Sequence, residues 1–129
     1  MSGKPIISIV DDDASVRAAV ECLVRSLGFV ACGFESGEAF LNSPQIDETA
    51  CLITDVAMPR MDGLQLQSRL RASGHCVPTI FFTAFPKEIA KARAKVAGAL
   101  AFLEKPFDGY DGENIAADAR SRTGVNCRR

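Results

Sequence analysis

Short apolar runs alternate along this chain with longer stretches whose apolar residues recur every three or four positions. Ile6-Ile7-Ser8-Ile9-Val10 reads as a strand and ends on Asp11-Asp12-Asp13. Val16, Val20, Leu23, Val24 and Leu27 then share one face of a helix that Gly28 stops. Phe29-Val30-Ala31-Cys32 reads as a second, weaker strand. Ser36 caps a short helix through Phe40 and Leu41, which Asn42-Ser43-Pro44 ends. Cys51-Leu52-Ile53-Thr54 is a third strand, closing at Asp55. Asp62 or Gly63 opens a helix carrying Leu66 and Leu70, which stops at Ser73-Gly74. Thr79-Ile80-Phe81-Phe82 is a fourth strand, closing at Thr83. Pro86 suits the first turn of the next helix, with Ile89, Ala92 and Val96 inward and Lys87, Lys91 and Lys95 outward. Gly98 ends it, and Leu100-Ala101-Phe102-Leu103 is the fifth strand. A closing helix over 113–122 has a packing stripe made mostly of alanine.

Alternating strand and helix predicts an α/β fold, a parallel sheet with helices on both faces. Right-handed crossovers point every strand's C-terminal end the same way. In a five-stranded, doubly wound sheet of order 2-1-3-4-5, strands one and three are neighbours at the switch point where ligands bind. Asp11 and Asp12 then face Asp55 across one crevice, with Thr83 at the exit of the fourth strand and Lys105 just past the fifth. Carboxylates brought together raise one another's pKa, so two acidic sites aimed at one crevice imply a cation between them. Aspartates, a hydroxyl and an ammonium at strand exits make a candidate metal and phosphoryl site.

Composition narrows this picture without redirecting it. A chain of 129 residues, 47% hydrophobic and 24% charged, is one soluble globular domain. A net charge of −1 gives no electrostatic reason to expect nucleic acid or an anionic membrane. The 5 cysteines are odd in number and include no C-x-x-C, which favours reduced thiols in a cytoplasmic protein over a disulfide framework or zinc site. The segment before the first strand is too short for a signal peptide or membrane span.

The motifs Ile9-Val10-Asp11-Asp12-Asp13, Thr54-Asp55-Val56-Ala57-Met58-Pro59-Arg60-Met61-Asp62-Gly63, Phe82-Thr83-Ala84 and Phe102-Leu103-Glu104-Lys105-Pro106-Phe107 follow in that order. With them the chain resembles the CheY-like receiver domains of two-component response regulators, and in particular the FixJ-like branch. The resemblance runs from about Ile6 to Asp108 and implies a flavodoxin-like fold; the domain itself is expected over residues 1–122, with 123–129 as a flexible tail. It implies that Asp55 accepts a phosphoryl group from a sensor histidine kinase or phosphotransfer protein. Asp11, Asp12 and Asp55, with the backbone carbonyl of Ala57, would hold Mg²⁺. Thr83 would bond a phosphoryl oxygen, Lys105 would pair with the phosphate, and Phe102 with Thr83 would form the switch to an output partner. On this reading the protein is no enzyme beyond its own phosphorylation and dephosphorylation. The peptide before Pro106 is expected to be cis, and a phosphorylation-dependent homodimer is left open.

The residue chemistry agrees. A carboxylate is a recognised nucleophile for an aspartyl phosphate, and phosphoryl transfer asks mainly for positioning and charge neutralisation. Plainer roles stand beside these. Asp12 or Asp13 can cap the first helix, Thr83 can be an ordinary strand residue, and Phe102 can be core packing. His75, in a Ser-Gly-His loop, is expected to be a solvated surface histidine, and Lys87, Lys91, Arg93 and Lys95 a solvated helix face. Two rival functions remain. The chain could be the receiver part of a longer FixJ-like transcription regulator. It could also be a haloacid-dehalogenase-type phosphatase with Asp11 as nucleophile, against which Ser15 and the lack of a downstream acidic pair both speak.

Overall fold

The computed structural model describes residues 5–83 and 101–104. Its elements in chain order are β1 (Ile6–Val10), α1 (Ala14–Ser26), β2 (Val30–Phe34), α2 (Gly37–Leu41), a 3-10 turn (Pro44–Asp47), β3 (Thr49–Asp55), α3 (Gly63–Ala72), β4 (Thr79–Thr83) and β5 (Ala101–Glu104). All strand pairings are parallel: β1 lies between β2 and β3, β4 lies outside β3, and Ala101–Glu104 pairs with β4. The expected parallel sheet with covering helices is therefore what the chain forms.

Alternation along the strands separates two cores. Ile7 and Ile9 join Cys51, Ile53, Ile80 and Phe82 on the face covered by α1 through Val20 and Val24, with Val16, Leu23 and Leu27 packed at its margin. Val10 and Leu52 join Phe40 of α2 and Leu66 and Leu70 of α3 on the opposite face. Central strands of a parallel sheet are buried on both faces, which is why β1 and β3 read as nearly continuous apolar runs. Ser8 is the exception in β1; it is fully buried and bonds the Thr49 hydroxyl at 2.7 Å.

Several boundaries differ from the sequence expectation. Phe29 is buried but lies outside β2, because its N–H bonds Val24 O at 3.3 Å and so belongs to the helix exit. The strand instead runs on to Phe34, which pairs with Val10. Likewise β3 starts at Thr49, pairing with Ile6 ahead of a register shift. Gly28 and Gly74 both take positive φ (93° and 85°) just past their helices, as the stop signals required.

Two expectations are corrected. His75 is half-buried, and its Nδ1 lies 3.4 Å from Asp47 Oδ1; the carboxylate arrives from the 3-10 turn, too distant in sequence to be seen there. Cys22, Cys32 and Cys51 are free thiols, but Cys76 is disulfide-bonded, with its partner outside the described residues. Pairing depends on Cα separation in the fold, which residue spacing does not report. The predicted helix from Pro86 to Gly98, the cis peptide at Pro106, the closing helix over 113–122 and the tail 123–129 lie outside the described residues.

Candidate functional site

The site follows from strand register. Val10 pairs with Thr54, so residues 11 and 55, one step on, leave the same sheet edge side by side. Asp55 in turn pairs with Phe82, and Val56 N–H bonds Phe82 O at 3.1 Å, which puts the backbone of Thr83 next along that edge. Thr83 pairs with Glu104, the residue before Lys105. Lys105 itself lies outside the described residues, and the side chains of Thr83 and Phe102 are not among the described features.

Three carboxylates converge. One carboxylate oxygen each from Asp11, Asp12 and Asp55 lies within 4.8 Å of the others. Asp11 is wholly buried and Asp55 is 6% exposed, whereas Asp12 is exposed. Hard oxygen donors this close, two of them removed from water, form the donor set a divalent cation such as Mg²⁺ accepts. The neighbouring acid has a separate task. Asp13 is the N-cap of α1, its Oδ1 accepting from Ser15 N at 2.9 Å and Val16 N at 3.2 Å. Of the two capping candidates, Asp13 caps and Asp12 is left for the cluster.

The backbone around these acids is held from several sides. Asp11 N–H bonds Phe34 O at 3.1 Å, and its Oδ1 accepts from Asp13 N at 2.9 Å. Its carbonyl oxygen accepts from Arg17 Nη1 at 2.7 Å. Asp55 Oδ1 accepts from the N–H of exposed Ala57 at 3.2 Å. Beyond Ala57 the chain turns sharply at Arg60, a non-glycine residue with φ 67°, where Met61 N–H bonds Pro59 O at 2.8 Å. Asp62 then caps α3 in a reciprocal box with Gln65, at 2.8 and 3.0 Å. Gly63 is pressed against the backbone of Asp55, and its N–H bonds Val56 O at 3.0 Å. The start of α3 is thus fastened to the end of β3.

Sequence reasoning overlooked Arg17. It sits on the polar side of α1, and only its position one turn past the cap, facing back toward the helix start, signals a reach to Asp11.

The chain matches the response regulator receiver domain over residues 7–116. It is 42% identical over 106 residues to the response regulator protein TmoT of Ectopseudomonas mendocina, covering 82% of this chain and 48% of that protein. It is 34% identical over 108 residues to the transcriptional regulatory protein FixJ of Bradyrhizobium diazoefficiens, covering 84% and 53%. This chain therefore spans about half the length of these curated relatives. Among solved structures, the crystal structure of FixJ-N superposes with a TM-score of 0.76 at 29% identity, covering 91% of this chain and 94% of that one. With the acidic edge built on the same sheet and the match running from β1 through residue 116, the chain belongs to the receiver domain family of two-component response regulators.

Proposed function

We propose that Asp55 is the phosphoacceptor, taking a phosphoryl group from the phosphohistidine of a sensor histidine kinase or phosphotransfer protein. The observation that carries this reading is the convergence of Asp11, Asp12 and Asp55 within 4.8 Å, with Asp55 at the end of a central strand. Asp11, Asp12, Asp55 and the Ala57 carbonyl would hold Mg²⁺, whose chemistry there is to neutralise charge on the phosphoryl oxygens. An oxygen of Asp55 attacks phosphorus as the bond to the donor nitrogen breaks, and the β3 end holds that oxygen in place. The Ala57 N–H steadies the other side of the same carboxyl group. Thr83 and Lys105 take the phosphoryl oxygens, and Thr83 with Phe102 carries the change to an output surface by shifting a pre-existing equilibrium. Chemistry of this kind makes the protein a signalling domain acting only on its own phosphorylation state.

The whole chain in this reading is a five-stranded, doubly wound sheet of order 2-1-3-4-5 over residues 1–122, followed by a short tail. Its setting is the cytoplasm, where a kinase donor and Mg²⁺ are both met; no helix among the described residues is long and apolar enough to cross a membrane. Because this chain spans about half of relatives named as regulatory proteins, a second reading places the same receiver within a longer regulator. The test is intact mass after incubation with MgCl₂ and phosphoramidate. One added phosphoryl group, absent in Asp55→Asn and kept in Asp13→Asn, supports the proposal. Steady turnover of a phosphate ester that needs Asp11 and survives Asp55→Asn overturns it.

A further inference from the structure

We propose that Arg17 is a positioning residue for the acidic cluster, fixing the Asp11 backbone so that the three carboxylates present a cation site; this rests on the metal reading above. Asp11 is wholly buried, so each of its polar groups needs a partner within the protein. Its N–H is held by Phe34 of β2, and its carbonyl by the Arg17 guanidinium at 2.7 Å. The chain passing Asp11 is thus tied on one side to the sheet and on the other to α1.

The guanidinium is itself held. Arg17 Nε lies 4.0 Å from Glu21 Oε2, and Arg25 Nη2 lies 3.3 Å from Glu21 Oε1. The side chains of Arg17 and Glu21 are only 22% and 20% exposed, against 59% for Arg25. A row on one helix face therefore ends on the carbonyl of a cluster residue. A planar fork suits this task, because one nitrogen bonds the carbonyl while another faces the carboxylate.

The sign of the effect separates positioning from plain electrostatics. Arg17 is a positive charge beside an acidic cluster, so by Coulomb's law its removal tightens binding of a cation. If instead it sets the geometry, removal weakens binding, by about tenfold for an outer partner of a metal site. The experiment is calorimetric titration of the full chain with MgCl₂ alone, on wild type, Arg17→Ala, Arg17→Lys, Arg25→Ala and Asp11→Asn, with thermal unfolding in chelator as a separate readout. The expected result is weaker Mg²⁺ binding in Arg17→Ala, partial recovery in Arg17→Lys, whose single ammonium can bond the Asp11 carbonyl without the second hold on Glu21, and none of this loss in Arg25→Ala. If Arg17→Ala does not fold, Arg17→Lys against Arg17→Gln carries the same comparison. Binding by Arg17→Ala that equals or exceeds wild type, while Asp11→Asn loses it, overturns the proposal and leaves the metal reading intact. Wild type that binds no Mg²⁺, or binds it equally well as Asp11→Asn, overturns the metal reading and this inference with it.

Discussion

Replacing Gly63 by alanine sets two effects against each other. Alanine is the better helix residue by about 1 kcal/mol, and Gly63 is the first residue of α3, so propensity alone predicts a gain. The surroundings predict a loss. A Cβ at this position would run into the Asp55 carbonyl oxygen and lie 3.2 Å from both the Asp55 carbonyl carbon and Val56 Cα. Comfortable carbon contacts begin at about 3.5 Å. All these atoms are backbone, so no rotamer change relieves the overlap, and α3 must move away from β3. Overpacking of this kind costs about 1–3 kcal/mol. Because the overlap is with fixed backbone the cost sits at the upper end, about 3 kcal/mol, so after the gain of about 1 kcal/mol the net loss is about 2 kcal/mol and the thermal midpoint falls by roughly 6–10 °C for a domain of this size. The assay is urea unfolding followed by far-UV circular dichroism, with Gly37→Ala as the contrast. There the new Cβ meets Met61 Sδ at 2.9 Å and Leu66 Cδ1 at 3.3 Å, both movable side-chain ends, so the loss stays below about 1 kcal/mol. A Gly63→Ala protein as stable as wild type would show that α3 and β3 are not in fixed backbone contact at this position.

Two further outcomes are expected. Asp62→Ala removes one half of the box with Gln65 and lowers stability by about 0.5–2 kcal/mol in urea titration, while Asp62→Asn keeps most of it. The Cys32 thiol is pushed above its ordinary 9.0 by burial first and then by Glu21 and Glu48, with Arg25 opposing. The folded protein then keeps a proton that the unfolded chain releases, so this stabilisation is whole below pH 9.0 and is lost as pH rises through the folded value. Unfolding of wild type and Cys32→Ser, compared at about pH 8 and about pH 10, should show wild type losing more.

Much of the fold was legible because burial imposes simple periods. The stripe from Val16 to Leu27 names the face of α1, and the odd and even residues of β1 and β3 divide the two cores. The edges of β2 were harder, since Phe29 is apolar for the core while its N–H serves the exit of α1. At the site, Asp11, Asp12 and Asp55 were legible as acids at strand exits, and the pairing Val10 to Thr54 explains why they meet. What separates Asp13 from Asp12 is cap geometry, visible only once the helix start is fixed. The Arg17 bond to the Asp11 carbonyl, the Asp47–His75 pair and the Ser8–Thr49 bond were not legible, because polar side chains carry no periodic signal and a backbone acceptor carries no sequence signal at all.

The proposed phosphoacceptor role of Asp55 singles out one carboxylate of the acidic cluster. After phosphoramidate and Mg²⁺, borohydride reduction turns an aspartyl phosphate into homoserine and leaves free aspartate untouched, so peptide sequencing by mass spectrometry reads the modified position directly. The expected outcome is homoserine at position 55 and intact aspartate at Asp11, Asp12 and Asp13, with no conversion in chelator. Homoserine at position 11 or 12, or none at 55 while the protein gains phosphate mass, would contradict it.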